Sequence, residues 1–267
     1  MSRDNWLLAA PHRTVVTEML MRPKSGGSLA LLGAGNCNDL DLPLLLGAFE
    51  NIHLIDLDGE SLVWGVGHQG VANDARLSLH GGVDLSGIAD AVAPWSPATP
   101  PSDREVDDFV ARAGTSPLPD LPGACAVVAS VCLLTQMLEP IINGLGQQHP
   151  QFLDVLGTVR RRHLQLLAEL CAPGGTVVLV TDVVSSTTCP ELATILESQL
   201  ADFVGRQIQQ HNFFTGVNPF VLRQLFETDA AVSPLVSDVR LSLPWRWQLG
   251  PRSYAVVALT ARRCEAQ

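Results

Sequence analysis

The chain has 267 residues, and its 27 Asp and Glu against 17 Lys and Arg leave a net charge of −10. That balance argues against strong sequence-independent binding to nucleic-acid phosphates, which needs clustered cations. Charged residues make up 16% and hydrophobic ones 46%, against about 25% and 45–50% in ordinary globular domains, so the chain can bury a large core and extensive disorder is excluded.

The longest apolar stretch, 124–134, falls well short of the ~20 residues of a spanning helix, so no membrane span is expected. Arg3 and Asp4 lead into no apolar signal region, and a cytoplasmic location is the expectation. The cysteines Cys37, Cys125, Cys132, Cys171, Cys189 and Cys264 are scattered without a C-x-x-C pair. Neither a disulfide framework nor a structural metal is therefore expected.

Taken in chain order, residues 5–21 read as an amphipathic helix interrupted by Pro11. It belongs to a 1–27 segment expected to act as a helical lid on a main domain at 28–267. Four short runs are apolar on both faces: SLALLG at 28–33, IHLIDL at 52–57, ACAVVASV at 124–131 and TVVLVTD at 176–182. Such runs suit strands of a parallel sheet covered by helices on each side. Stretches of helical length at 42–49 and 59–72 separate the early runs, which predicts right-handed crossovers and a doubly wound sheet. Residues 76–79 are a weaker strand candidate.

Residues 85–123 carry seven prolines around an acidic helix candidate at 103–113. An insertion that long between two strands reads as a lid, a partner surface or a disordered segment. Two strand-like runs follow at 236–243 and 253–261, joined through eight residues. A parallel pair needs a crossover of about a dozen residues, so these two are expected to be antiparallel.

The first strand runs into Gly33-Ala34-Gly35-Asn36-Cys37-Asn38-Asp39-Leu40-Asp41. Glycines at this point of an α/β sheet let a ligand approach the backbone at the carboxyl edge. Asp56 ends the next strand, where a carboxylate can take ribose hydroxyls, so a nucleoside-bearing ligand is expected. A dinucleotide loop wants a third glycine where this chain has Asn38. Asp39 and Asp41 also crowd the helix N-terminus on which a pyrophosphate would sit. At ~4 Å and a dielectric of ~20 each like-charge contact costs on the order of 4 kcal/mol, which favours a cationic sulfonium over NAD.

With these residues the chain resembles the class I S-adenosylmethionine-dependent methyltransferases, over roughly 28–261 and most specifically over 29–41 and 52–58. The resemblance implies an α/β fold with a doubly wound, mostly parallel seven-stranded sheet ending in an antiparallel hairpin, and S-adenosylmethionine as cofactor. It implies that Gly33, Ala34 and Gly35 pack on the methionine and ribose portions, that Asp56 binds the ribose, and that Leu57 lies beside the adenine. Asp84, with Leu85 next to it, resembles the polar residue after strand three that meets the adenine amino group. Ser130 and Val131 resemble the wall beside the transferable methyl, and the turn at 171–175 resembles the family's turn into strand five. The family's usual acid two residues before the first glycine is Leu31 here, and its third glycine is Cys37. Asn36, Asn38, Asp39 or Asp41 are then the candidates for the methionine end.

Further candidates surround a methyl acceptor: Cys132 just past the fourth strand, Gln136 after it, His12 on the N-terminal helix, and Phe213 and Phe214. His211 ranks first among the histidines as a general base, because Asn212, Phe213 and Phe214 give it an apolar setting with polar neighbours. The functional expectation is methyl transfer to a small molecule, with no strong nucleic-acid binding. The alternatives are an NAD(P)-dependent oxidoreductase with a degenerate glycine motif and a non-catalytic binding module of the same fold.

Overall fold

A computed structural model describes residues 5–22, 26–115 and 124–265. Helix α1 (Ala10–Met21) precedes β1 (Ser28–Leu32), α2 (Leu42–Ala48), β2 (Asn51–Asp56), α3 (Gly59–His68) and β3 (Leu77–Gly81). Helices α4 (Ala89–Val92) and α5 (Asp103–Thr115) lead to β4 (Cys125–Val131), α6 (Leu134–Leu145), α7 (Phe152–Leu170) and β5 (Cys171–Ser185). The chain closes with α8 (Leu200–Gln209), α9 (Pro219–Thr228), β6 (Val236–Leu241), β7 (Trp245–Leu249) and β8 (Arg252–Arg263).

The sheet order is β3-β2-β1-β4-β5-β8-β6, with β7 also paired to β8. Strands β1 to β5 are mutually parallel, and β8 runs antiparallel to β5, β6 and β7. The order reverses between β1 and β4, which opens a crevice at their carboxyl ends, the usual place for a ligand in such sheets. The apolar runs form buried strands because both faces are covered. Ala30, Leu32, Val128, Val177 and Leu179 pack into one layer with α5, α6 and α7. Leu29, Leu31, Val127, Ala129, Val178 and Val180 pack into the opposite layer with α1, α2 and α3. This alternation along each strand is the period of two that places successive side chains on opposite faces.

Three expectations change. The connection at 244–251 is itself a strand: Trp245–Leu249 hairpins onto the first half of β8, whose second half pairs with β6, giving eight strands rather than seven. The turn at 171–175 lies inside β5 as an irregularity, because Cys171 pairs with Cys125 before the register resumes at Thr176 opposite Val127, with Gly174 at φ +71°. The proline-rich insertion supplies core: Val106, Phe109 and Ala113 of α5 are buried, and its residues 116–123 lie outside the described ones.

Helix α1 is anchored to the body. Trp245 Nε1 donates to His12 Nδ1 at 3.0 Å, His12 stacks on Trp247, and an Arg13 Nη1 donates to the Asn38 carbonyl at 2.9 Å. No helix among the described residues is long and apolar enough to cross a membrane.

Candidate functional site

The loop after β1 is held from several sides. Gly33 N donates to the Ile55 carbonyl at 2.9 Å, and Gly35 N to Asp56 Oδ2 at 2.8 Å. From the end of α3, Gln69 Nε2 donates to the carbonyls of Cys37 and Leu40, and its Oε1 accepts from Leu42 N. Gly33 (φ +74°) leaves no room for a side chain, since a Cβ there would stand 2.8 Å from Leu133 Cβ. Gly35 (φ +50°) is different: a Cβ would meet only Asp56 Oδ2, at 4.0 Å, and would otherwise fill open space.

That space is a cavity of about 550 Å³ at the carboxyl edge of β1, β2 and β3. The structure brings Gly33, Gly35, Asn36, Asp56, Leu57, Asp84, Leu85 and Gln136 around it, together with Asp58 and residues of α4, to which no ligand role was assigned from sequence. Asp56 Oδ1 also accepts from Asp58 N at 2.8 Å, so each carboxylate oxygen already takes one backbone donor and keeps a lone pair for another. Asp84 accepts from Ser86 N and Oγ and from Ala89 N, and thereby fixes the turn that makes the opposite wall.

The charged side chains of the lining are Asp56, Asp58 and Asp84, with no Lys, Arg or His among the described residues. Both neighbouring crossover helices are already capped, α2 by Asp41 on Leu44 N and α3 by Asp58 on Ser61 N. A diphosphate would therefore meet helix starts already held by carboxylates, and no cation among the described lining residues. An adenosine with a sulfonium fits: open space lies beside a backbone glycine, a carboxylate has spare lone pairs, and Leu57, Leu85 and Ile88 supply apolar walls.

A second cavity of about 550 Å³ adjoins the first through Gln136, which lines both. It is walled by Cys132, by Thr135, Gln136 and Glu139 on one face of α6, by Asp182 and Ser185 of β5, and by Phe214, Trp247 and Tyr254. Cys132 adopts a left-handed backbone (φ +49°), its N–H bonded to the Val180 carbonyl and its own carbonyl accepting from Gln136 Nε2 at 2.8 Å. Its thiol is pushed well up, by burial first and by Asp182 next, so it stays protonated. Asp182 is buried and pushed up to about 6, chiefly by burial, against the Thr135 hydroxyl that donates to its Oδ1 at 2.7 Å.

Several sequence candidates lie elsewhere. His211 is exposed at φ +58° behind α8 and lines neither cavity, because its backbone closes the helix and turns the side chain to solvent. Ser130 is buried on the α7 side of β4, its Oγ 2.9 Å from His163 Nε2, and Val131 packs in the layer against α1–α3. Ala34 is likewise buried in that layer. Asn38 and Asp39 lie toward α1: Arg13 binds the Asn38 carbonyl, and Asp39 Oδ1 sits 3.8 Å from His12 Nε2 without a hydrogen-bond donor. The proximity of Asp39 and Asp41 to the ligand is therefore corrected, and the acidic lining comes from Asp56, Asp58 and Asp84 instead. His12 is buried under Trp245 and Trp247, and Phe213 packs against α8 and β5, so neither lines a cavity while Phe214 does.

Sequence reasoning assigned no role to Asp182, Glu139, Thr135 or Tyr254. One signal was available: Asp182 closes an apolar strand run at the same sheet edge, as Asp56 does.

No protein-family model and no curated protein sequence matches the chain. Among solved structures it is similar to the N-methyltransferase NodS from Bradyrhizobium japonicum WM9, at 9% identity and a TM-score of 0.50, covering 99% of this chain and 100% of that one. It is also similar to the magnesium protoporphyrin IX methyltransferase ChlM from Synechocystis PCC 6803 with bound S-adenosylhomocysteine, at 11% identity and a TM-score of 0.49, covering 98% and 88%. An O-methyltransferase family protein from Burkholderia thailandensis gives 12% identity and 0.49, covering 98% of this chain and 58% of that one. At 9% identity the likeness to NodS speaks to the fold alone.

Proposed function

We propose that this chain, which carries the fold of the class I S-adenosylmethionine-dependent methyltransferases, transfers a methyl group from S-adenosylmethionine to a small molecule. The observation that carries the reading is the first cavity: an adenosine-sized space beside Gly35 whose charged walls, among the described residues, are three carboxylates. These attract a cationic donor and disfavour a diphosphate. Asp56 would accept the ribose hydroxyls, with Leu57 and Leu85 against the adenine and the turn fixed by Asp84 closing that end.

The donor supplies a methyl carbon already activated by its bond to a positive sulfur. The protein's part is then to hold donor and acceptor in line and to keep water out. Gln136, whose amide is tied to the Cys132 carbonyl, stands at the junction of the two cavities and would set the path between them. The second cavity would hold the acceptor, against the aromatic side chains of Phe214, Trp247 and Tyr254.

The test is ligand-induced stabilisation with S-adenosylmethionine, S-adenosylhomocysteine and NADH. A ligand that binds only the folded state adds RT ln(1 + [L]/Kd), about 2.7 kcal/mol at a hundredfold excess over Kd, and both sulfur compounds should raise Tm accordingly. A response to NADH alone would establish the oxidoreductase alternative, and no response to any of the three would leave a binding module.

A further inference from the structure

The second cavity has a composition that selects among acceptors. Asp182 is 6% exposed, yet it lines the cavity; its Oδ1 accepts from the Thr135 hydroxyl, and its own backbone N–H is a further donor to the carboxylate. A carboxylate at a cavity wall with lone pairs to spare is stabilised by a donor placed in that cavity, whether from water or from a ligand. Glu139, one turn along α6 from Thr135, adds a second negative charge to the lining, and Arg252, the cation of the lining among the described residues, is exposed.

The same cavity is also lined by three aromatic residues. Trp247 and Tyr254 are directly paired across β7 and β8 with ring centroids 5.2 Å apart, and Phe214 lies 6.2 Å from Tyr254. Carboxylates and aromatic rings lining one cavity are the two devices by which proteins hold an organic cation.

Resting on the methyl-transfer reading, we propose that the acceptor is an amine, bound as its ammonium by Asp182 and the rings of Trp247, Tyr254 and Phe214, and that Asp182 takes the proton this nitrogen must lose. The balance is R–NH3+ giving H+ to the Asp182 carboxylate. The freed lone pair then forms the N–C bond as the C–S bond breaks, and its electron pair stays on sulfur. The product is the methylated ammonium, and the proton on Asp182 returns to water. Burial raises Asp182 toward 6, with Glu139 acting in the same direction, which makes it a better proton acceptor than an ordinary carboxylate while leaving it ionised at neutral pH. Cys132 cannot take that role with its thiol pushed up.

The experiment uses the full chain saturated with S-adenosylhomocysteine at pH 7.5, titrated calorimetrically with 2-phenylethylamine and with its neutral isostere 2-phenylethanol. The amine should bind about tenfold or more tightly than the alcohol, the value of one charge-assisted hydrogen bond. In Asp182→Asn that preference should fall to about twofold or less, with S-adenosylhomocysteine affinity unchanged as the control for folding. In the exposed Glu139→Gln it should fall by only about two- to threefold, because surface charges are screened.

Equal binding of the two compounds, no binding of the amine, or a preference that survives in Asp182→Asn would overturn the amine assignment and leave the methyl-transfer reading standing. Failure of the parent to bind S-adenosylhomocysteine would overturn that reading and this inference together.

Discussion

Replacing Asp56 with Ala perturbs the cofactor cavity at one point whose contacts are fully specified. The carboxylate accepts from Gly35 N through Oδ2 and from Asp58 N through Oδ1, both at 2.8 Å. Two lone-pair sites remain, directed to the space next to Gly35, and a vicinal diol can use both. A hydrogen bond to a charged group is worth about 1.5–3 kcal/mol, and the open cavity lets water compensate part of the second one. The expected loss in S-adenosylhomocysteine affinity is therefore about 1.5–3 kcal/mol, or roughly 10- to 150-fold in Kd.

Some of that loss could come from a loosened glycine loop, because Gly35 N loses its acceptor too. Adenosine and 2′,3′-dideoxyadenosine separate the two effects in a double cycle of protein and ligand. The parent should prefer adenosine by the full hydroxyl contribution, whereas the variant should hardly distinguish the pair. A calorimetric titration in which the variant keeps the parent's preference refutes the ribose assignment, whatever happens to the absolute affinity.

Two further outcomes follow from the corrected placements. His163, buried behind β4 against Ser130, is lowered from 6.5 to about 4 by desolvation. Its folded form therefore resists protonation, the unfolded chain binds more protons between those values, and its contribution of about 3 kcal/mol is lost as pH falls from about 6.5 to about 4. Urea midpoints of the parent should drop more steeply over that window than those of His163→Gln, and equal slopes would contradict the assignment. His211 is exposed, at a left-handed position. His211→Gly should leave S-adenosylhomocysteine affinity unchanged and raise stability by up to about 1 kcal/mol; a tenfold or greater weakening would return this histidine to the site.

Apolar runs, glycines and strand-end acids are local, and what they determine was legible in the chain. Runs such as SLALLG and TVVLVTD can only be strands covered on both faces, so the parallel sheet and its crossovers followed from them. Gly35 and Asp56 stand about 20 residues apart in sequence, and parallel pairing of β1 with β2 makes them hydrogen-bonded neighbours.

Side-chain direction within the loops was a different matter. Asn38 and Asp39 in the loop, and Ser130 on β4, read the same in sequence whether they face a ligand, α1 or α7, and only packing decides; Arg13 on α1 holds the Asn38 carbonyl and His163 on α7 meets the Ser130 hydroxyl. The strand at Trp245–Leu249 was illegible because its short run between two prolines becomes a strand only where a β8 of 12 residues outruns β6. The same added strand supplies Trp247 to the cavity that Asp182, distant in sequence, also lines. The sequence by itself determined the sheet and the edge at which the first cavity opens, since both depend on periodicity and spacing along one chain. The second cavity was decided by the tertiary structure alone, because its walls come from five separate segments that meet only when the antiparallel end of the sheet closes over α6.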